Sequence, residues 1–477
     1  MAAIVRGKGL DLKKDLTDNE RFILGKSQRG NVVEFIKFAD TVSRKSNLFS
    51  TKGVIDGEPQ RELYRFLMER CYILARGGFQ GERGTSSSTL VGCKGLGKTT
   101  AFRNFITLAP LLYEDVIPIF ITCEDNVSTG LADTTFLKAV EVLCEMELGW
   151  EIRKKLNFLE LSATRLTECL ATKGKYLLLI IDELDMLYQT NPDRFPRITD
   201  SLSELSCIGN SPSGRISCVL SGSSAMLEHL IRTNVLPGMK DEFAGLKGAM
   251  NLNGTKFATR RISPSSPLDL DAVESITRTM NCFQTVDWIK MVTFAAGANP
   301  REVQRVLDKT DPLDLLQMDA DANYSGQNTL KIPVIRSFLN SILNKLVHKN
   351  FDTVIKPITE DLNKVKSIDW VKAFKPLTYA DCGLIWRKVS TETTPFDLNY
   401  AIFHLADRGW INAYQVKDGN PKTIFPISVL KLVRHHMISQ NVTEELKKCY
   451  FARIVEYLQQ GFLHSVTSEA AQENSKL

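Results

Sequence analysis

One short segment constrains this chain more than any other. Gly92 is followed, after four residues, by Gly97, Lys98 and Thr99. Glycines at these places let the backbone curl around an anion and turn several N–H groups inward, toward the positive end of a helix beginning near Lys98. Lys98 is then placed to reach β- and γ-phosphates, and the Thr99 hydroxyl to bind Mg²⁺. The whole cradle is Gly92, Cys93, Lys94, Gly95, Leu96, Gly97, Lys98, Thr99 and Thr100. Its flanks agree: residues 88–91 form a β-prone run and 100–112 read as a helix. Strand, loop and helix are the setting that a phosphate loop needs.

Further buried strands follow. Val116–Thr122 is apolar and ends in a polar, acidic turn, and residues 136–148 read as a helix. Tyr176–Ile181 is the most apolar run of the chain and leads into Asp182, Glu183 and Asp185. A fourth strand, 216–220, breaks at Ser221 and the serines after it. Continuous apolar runs separated by helices are typical of a parallel sheet covered on both faces. The fold class expected is therefore α/β with crossover helices.

The acidic strand end carries chemistry when read with the phosphate loop. Carboxylates at the C-terminal edge of a parallel strand lie where such sheets bind ligands. Asp182 would hold Mg²⁺ through water and Glu183 would polarise an attacking water, whereas Asp185 reads as a structural or capping residue.

At 477 residues the chain is too long for one core, and roughly two to four domains are expected. A hydrophobic share of 43% and a charged share of 24% are those of a globular protein. The net charge of +5 permits nucleic-acid contact without demanding it. Ten cysteines without a C-x-x-C pair or histidines at zinc spacing argue against a metal knuckle and a disulfide framework. With no signal-like or membrane-spanning run, an intracellular location is expected, cytoplasmic or nuclear, with no membrane partner.

The domains expected are an N-terminal extension over 1–84, a core over 85–265, a helical lid over 266–345, a C-terminal domain over 346–465 and a disordered tail over 466–477. The extension reads as a basic, loosely patterned start followed by a helix at 59–76, and the Gly- and Ser-rich stretch 77–88 as a linker. The lid pattern breaks at residues 297–301, which end in Asn299, Pro300 and Arg301. In the C-terminal domain, helices at 379–388 and 396–408 precede strands at 410–416 and 422–425. Two helices and a hairpin are the parts of a winged helix.

Taken together, Gly92–Thr99, Asp182 with Glu183, Ser221 and the stretch ending in Arg301 resemble the AAA+ and STAND group of P-loop ATPases. The resemblance is strongest to archaeal-type ATPases and origin-recognition initiators, which join this core to a C-terminal winged helix. It covers roughly residues 85–310, with specific first motifs and short, degenerate later ones. It implies a P-loop parallel sheet with a helical lid and a C-terminal α+β winged-helix-like domain. In that group a polar residue ending the fourth strand positions water; Ser221 matches and Ser223 is its substitute, the plain alternative being a serine turn closing a strand. A lid arginine reaches the γ-phosphate, and Arg301 matches, against a solvated arginine at a helix start. A neighbouring subunit often supplies an arginine finger through self-association; Arg232 is the first candidate, Arg260 and Arg261 the others. Thr122, with Glu124 nearby, matches a residue that restrains the catalytic glutamate, although an ordinary strand terminus is the favoured reading.

The resemblance implies an ATPase using ATP and Mg²⁺, in which turnover moves a C-terminal module that binds duplex DNA or protein. ATP rather than GTP follows from the family and from the lack of an Asn-Lys-x-Asp segment, with adenine contacts around Phe79 and Arg83. The candidate recognition helix 396–408 carries Asp397, Asp407 and one arginine, a poor set for reading bases, while Arg387, Lys388, Lys417 and Lys422 could meet phosphates. The alternative is a signalling or effector switch of STAND or Crinkler type, with little turnover and a protein partner.

Overall fold

A computed structural model describes residues 16–28, 30–45, 53–77, 87–93, 95–123, 163–184, 205, 214–222, 258–262, 269–279, 286, 289–290, 292–293, 297–308, 332–394, 396–407, 410–415, 421–426 and 432. The chain divides into two compact units. The first takes Met1–Val54, Gln60–Gly92 and Lys98–Ile262, and the second Ile55–Pro59, Cys93–Gly97 and Ser263–Leu477.

The first unit is built on the expected sheet. Helices α1 (Asp18–Gln28), α2 (Val32–Lys45) and α3 (Glu58–Ala75) precede strand β1 (Ser87–Gly92), and α4 (Lys98–Leu112) leaves the phosphate loop. Strand β2 (Val116–Thr122), helix α5 (Ala163–Thr172) and strands β3 (Tyr176–Asp182), β4 (Ile216–Gly222) and β5 (Ala258–Ile262) follow. The strands lie in the order β2-β3-β4-β1-β5, and every pairing is parallel. Leu177–Ile181 have no exposed surface, as expected of a strand covered on both faces. Full burial of each such side chain contributes about 1.5–3 kcal/mol.

The N-terminal region departs from expectation. Over the described residues 18–45 it forms two packed helices, α1 and α2, where a loosely patterned stretch was expected, because α2 has an apolar stripe that must be covered. Phe35 of α2 meets Tyr64 of α3, with ring centres 5.0 Å apart, and Phe105 of α4 at 5.9 Å. Thr17 and Glu20 cap α1 reciprocally, and Lys45 at the end of α2 binds the buried Glu20 carboxylate. The guanidinium of Arg70 on α3 donates to the Ser88 hydroxyl, so α3 is tied to β1. Strand β1 also starts at Ser87, inside the stretch read as linker.

The second unit contains α6 (Leu270–Thr279), α7 (Pro300–Asp308) and α8 (Pro333–Asn350), then short helical turns through Ala373. Strand β6 (Leu377–Thr378), helices α9 (Tyr379–Val389) and α10 (Leu398–Asp407) and strands β7 (Ile411–Gln415) and β8 (Pro421–Pro426) complete it. These strands form an antiparallel sheet in the order β6-β8-β7. Proline at the first turn starts α8, whose buried stripe is Ile335, Phe338, Leu339, Ile342, Leu343 and Leu346. Phe338 packs edge-on against Trp386 of α9 at 5.1 Å. A boundary at 345 therefore cuts through α8, and the whole helix belongs with the C-terminal helices it packs against.

Helix α9 opens with a reciprocal cap. The Thr378 N–H and hydroxyl donate to Asp381 Oδ2 at 2.9 and 3.0 Å, and the Asp381 N–H returns to Thr378 Oγ1 at 3.1 Å. In α10, residues Tyr400–Ala406 are all buried. No helix among the described residues is long and apolar enough to cross a membrane. The described cysteines, Cys71, Cys93, Cys123, Cys169, Cys218 and Cys382, are buried. Burial pushes the Cys218 thiol up to about 12, so it serves as apolar packing.

Candidate functional site

The phosphate loop leaves β1 at Gly92 and enters α4 at Lys98. The Lys98 ammonium donates to the Gly92 carbonyl at 2.8 Å and is 6% exposed, so the side chain turns back over the loop. Gly95 and Gly97 have φ of 89° and 81°, in the left-handed region that a Cβ disfavours. Open space surrounds Gly97 within 4 Å of where a Cβ would sit.

Strand register assembles the rest. Asp182 pairs with Thr122 on one side, and on the other Ile181 pairs with Leu220, so Ser221 is the next residue beside Asp182. Leu90 of the phosphate-loop strand pairs with Ser221 in turn. Because β4 lies between β1 and β3, the polar end of the fourth strand falls between the phosphate loop and the acidic strand. The Cys123 N–H also donates to the Asp182 carbonyl at 2.9 Å, which fixes the end of β3.

Asp182 is fully buried, and its Oδ2 accepts the Thr99 hydroxyl at 2.6 Å. Its Oδ1 and the Ser221 hydroxyl are buried with no hydrogen-bond partner. An unmet carboxylate oxygen costs on the order of 1–3 kcal/mol or more and asks for a cation or water. A hydroxyl and a carboxylate in contact at the foot of a phosphate loop fit Mg²⁺, a hard ion that keeps waters and takes few protein oxygens. Glu183, the next residue, is half-buried with φ of 56°, the positive-φ non-glycine among the described residues. Such a conformation costs a non-glycine residue about 1–2 kcal/mol and fixes its direction at the sheet edge.

The sequence profile of the AAA domain family matches residues 82–231, the segment holding the loop, the acidic strand and Ser221. This segment is an AAA domain. Solved structures similar to the chain include a Walker-type ATPase of Pyrococcus abyssi at 13% identity, covering 77% of this chain and 94% of that one with a TM-score of 0.38. The Aeropyrum pernix ORC2 protein, solved as ADPNP–ADP complexes, has 13% identity, 81% and 96% coverage and a TM-score of 0.37. AMPPCP-bound DnaA from Aquifex aeolicus has 14% identity, 88% and 99% coverage and a TM-score of 0.33. No curated protein matches the sequence.

Within the AAA segment, Lys98 and Thr99 open α4, Thr122 and Asp182 end β2 and β3, Glu183 follows β3, and β4 runs through Ser221 to Gly222 instead of breaking at Ser221. Lys94, Phe79, Arg83, Glu124, Asp185, Ser223 and Arg232 lie outside the described residues. Arg260 and Arg261, the other finger candidates, are part of β5, paired with Leu90 and Val91. Two charged residues interrupt the apolar run that would have marked that strand, and pairing along β1 supplies its backbone hydrogen bonds. In the second unit, Arg301 occupies the first turn of α7 with its side chain exposed. Its N–H lies 3.4 Å from the carbonyl of Gly95, a residue of the same unit. The residue missed by pattern reading is Asn299, which is 1% exposed beside that loop glycine. A lone asparagine before Pro300 reads only as a helix start.

Proposed function

We propose that the protein binds and hydrolyses Mg-ATP as an AAA+-type switch, and that turnover repositions a C-terminal winged-helix module. The observation that carries the reading is the 2.6 Å contact between Thr99 and Asp182, with the second Asp182 oxygen left unmet. Loop amides and Lys98 hold the triphosphate. Thr99 and Asp182 would hold a Mg²⁺ ion, which would supply neutralisation of the phosphate charge when bound. Glu183 takes up the proton of an attacking water, and the Ser221 hydroxyl orients that water. Arg301 reads the γ-phosphate from the lid, and Arg232 of a neighbouring copy is the candidate finger. Loss of the γ-phosphate then removes contacts that favour one arrangement.

The order helix, strand, helix, helix, hairpin over α8 to β8 supports a winged helix. Its partner is duplex DNA or protein. A specific observation favours the second reading, a nucleotide switch with a protein partner. With Tyr400–Ala406 buried, α10 offers little side-chain surface for reading bases. The deciding assay is steady-state ATP hydrolysis with and without duplex DNA at low salt. Stimulation by DNA supports the initiator-like reading; slow turnover indifferent to DNA supports the switch with a protein partner; no ATP binding at all overturns both.

A further inference from the structure

The two loop glycines are glycine for different reasons. Both have left-handed backbones, yet a Cβ on Gly97 would meet nothing within 4 Å. A Cβ on Gly95 would come 2.5 Å from Asn299 Oδ1, 3.1 Å from its Nδ2 and 2.9 Å from Arg301 Cβ. The Asn299 carboxamide thus lies directly against the Gly95 α-carbon, with no room for a methyl group between them. Residues 93–97 and 263–477 belong to one unit, so this contact lies within a single body.

Asn299 is anchored on its other side. Its Oδ1 accepts the N–H groups of Arg301 at 3.1 Å and Glu302 at 3.4 Å, which caps α7. One side chain therefore starts the lid helix and walls the loop tip. A helix by itself would take Asp here as readily as Asn, and the helix dipole would favour the charge. A loop whose amides serve a triphosphate would not, because the carboxylate would sit against the anion site.

We infer that Asn299 is a positioning residue of the phosphate loop: its neutral carboxamide holds Gly95 in the left-handed conformation that keeps the cradle open toward phosphate. The inference rests on the nucleotide-binding reading of the AAA domain. The test uses the full chain, the fluorescent analogue mant-ATP as probe and thermal unfolding without nucleotide. Asn299→Asp keeps the cap, so its melting temperature should stay within about 2 °C of the parent. Its mant-ATP affinity should fall roughly tenfold or more, because a buried carboxylate beside the anion site is little screened by salt. Asn299→Ser keeps the cap but empties the space beside Gly95, so it should bind more weakly by a factor that salt does not change.

A residue that only caps α7 would leave binding unchanged in both variants. Binding by Asn299→Asp and Asn299→Ser within about twofold of the parent overturns the positioning role. If Asn299→Asp fails to fold, Asn299→Ser alone decides. A parent chain that binds no mant-ATP overturns the nucleotide reading and this inference with it, whereas Lys98→Ala losing binding while both Asn299 variants keep it refutes the positioning role alone.

Discussion

The left-handed backbone of Glu183 can be read out by comparing Glu183→Ala with Glu183→Gly. Both variants lose the same carboxylate, so the contacts that Glu183 makes cancel between them. What remains is the backbone. At φ of 56° a Cβ costs about 1–2 kcal/mol, which only the alanine variant still bears. Glycine in turn forfeits about 0.5–1 kcal/mol through the greater freedom of its unfolded chain. The difference should leave Glu183→Gly the more stable by about 0.5–1 kcal/mol. At an ordinary helical or extended position the sign would be reversed by a similar amount. For a unit of this size each kcal/mol is about 2–4 °C in melting temperature. The assay is thermal unfolding of the nucleotide-free variants, with urea midpoints as a second measure. An alanine variant that melts above the glycine variant refutes the argument that the sheet edge holds Glu183 in a strained conformation. Both should be inactive in hydrolysis, so stability and turnover would part company at one residue.

Other outcomes follow from the same geometry. Lys98→Ala should abolish tight nucleotide binding in an equilibrium titration, and unchanged affinity would remove Lys98 from the phosphate role. Glu183→Gln should keep ATP while losing turnover; hydrolysis at the parent rate would discard Glu183 as the base. In the C-terminal module, hydrogen bonds from Thr378, with Lys349 and Lys345 nearby, hold the Asp381 carboxyl at about 2 against an ordinary 3.8, despite the opposing effect of partial burial. A lowered folded-state value stabilises the fold above the unfolded value, and the gain is lost as pH falls from about 4 toward 2. Parent and Asp381→Asn should therefore differ in urea midpoint at pH 6 and converge near pH 2, and a constant gap across that range would show that the carboxylate's charge is not what matters.

Much of the first unit was written along the chain. A strand buried on both faces needs an unbroken apolar run, and Val116–Thr122 and Tyr176–Ile181 show it without any three-dimensional knowledge. The phosphate loop is equally local, because glycine spacing and the lysine that follows determine a turn only a few residues long. Elements whose stability comes from distant partners stayed hidden. Strand β5 carries Arg260 and Arg261 and exists because β1 pairs with it. Helix α2 is held by aromatic contacts of Phe35 to α3 and α4, and α1 is tied to α2 by the Glu20–Lys45 pair, none of which is periodic in sequence.

The same division runs through the candidate site. Residue type and order alone mark Lys98, Thr99, Asp182 and Glu183 as the candidates for one phosphate-handling chemistry, since each proposed role demands a particular functional group. Tertiary structure decided what those groups touch. Insertion of β4 between β1 and β3 set Ser221 beside Asp182, and the meeting of Thr99 with Asp182 across 83 positions left one carboxylate oxygen unmet. It also seated Asn299 against Gly95, a contact between residues some two hundred positions apart. Sequence encodes local backbone preference and chemical identity, but a buried contact is the joint product of two distant segments, and only the folded chain brings their surfaces together.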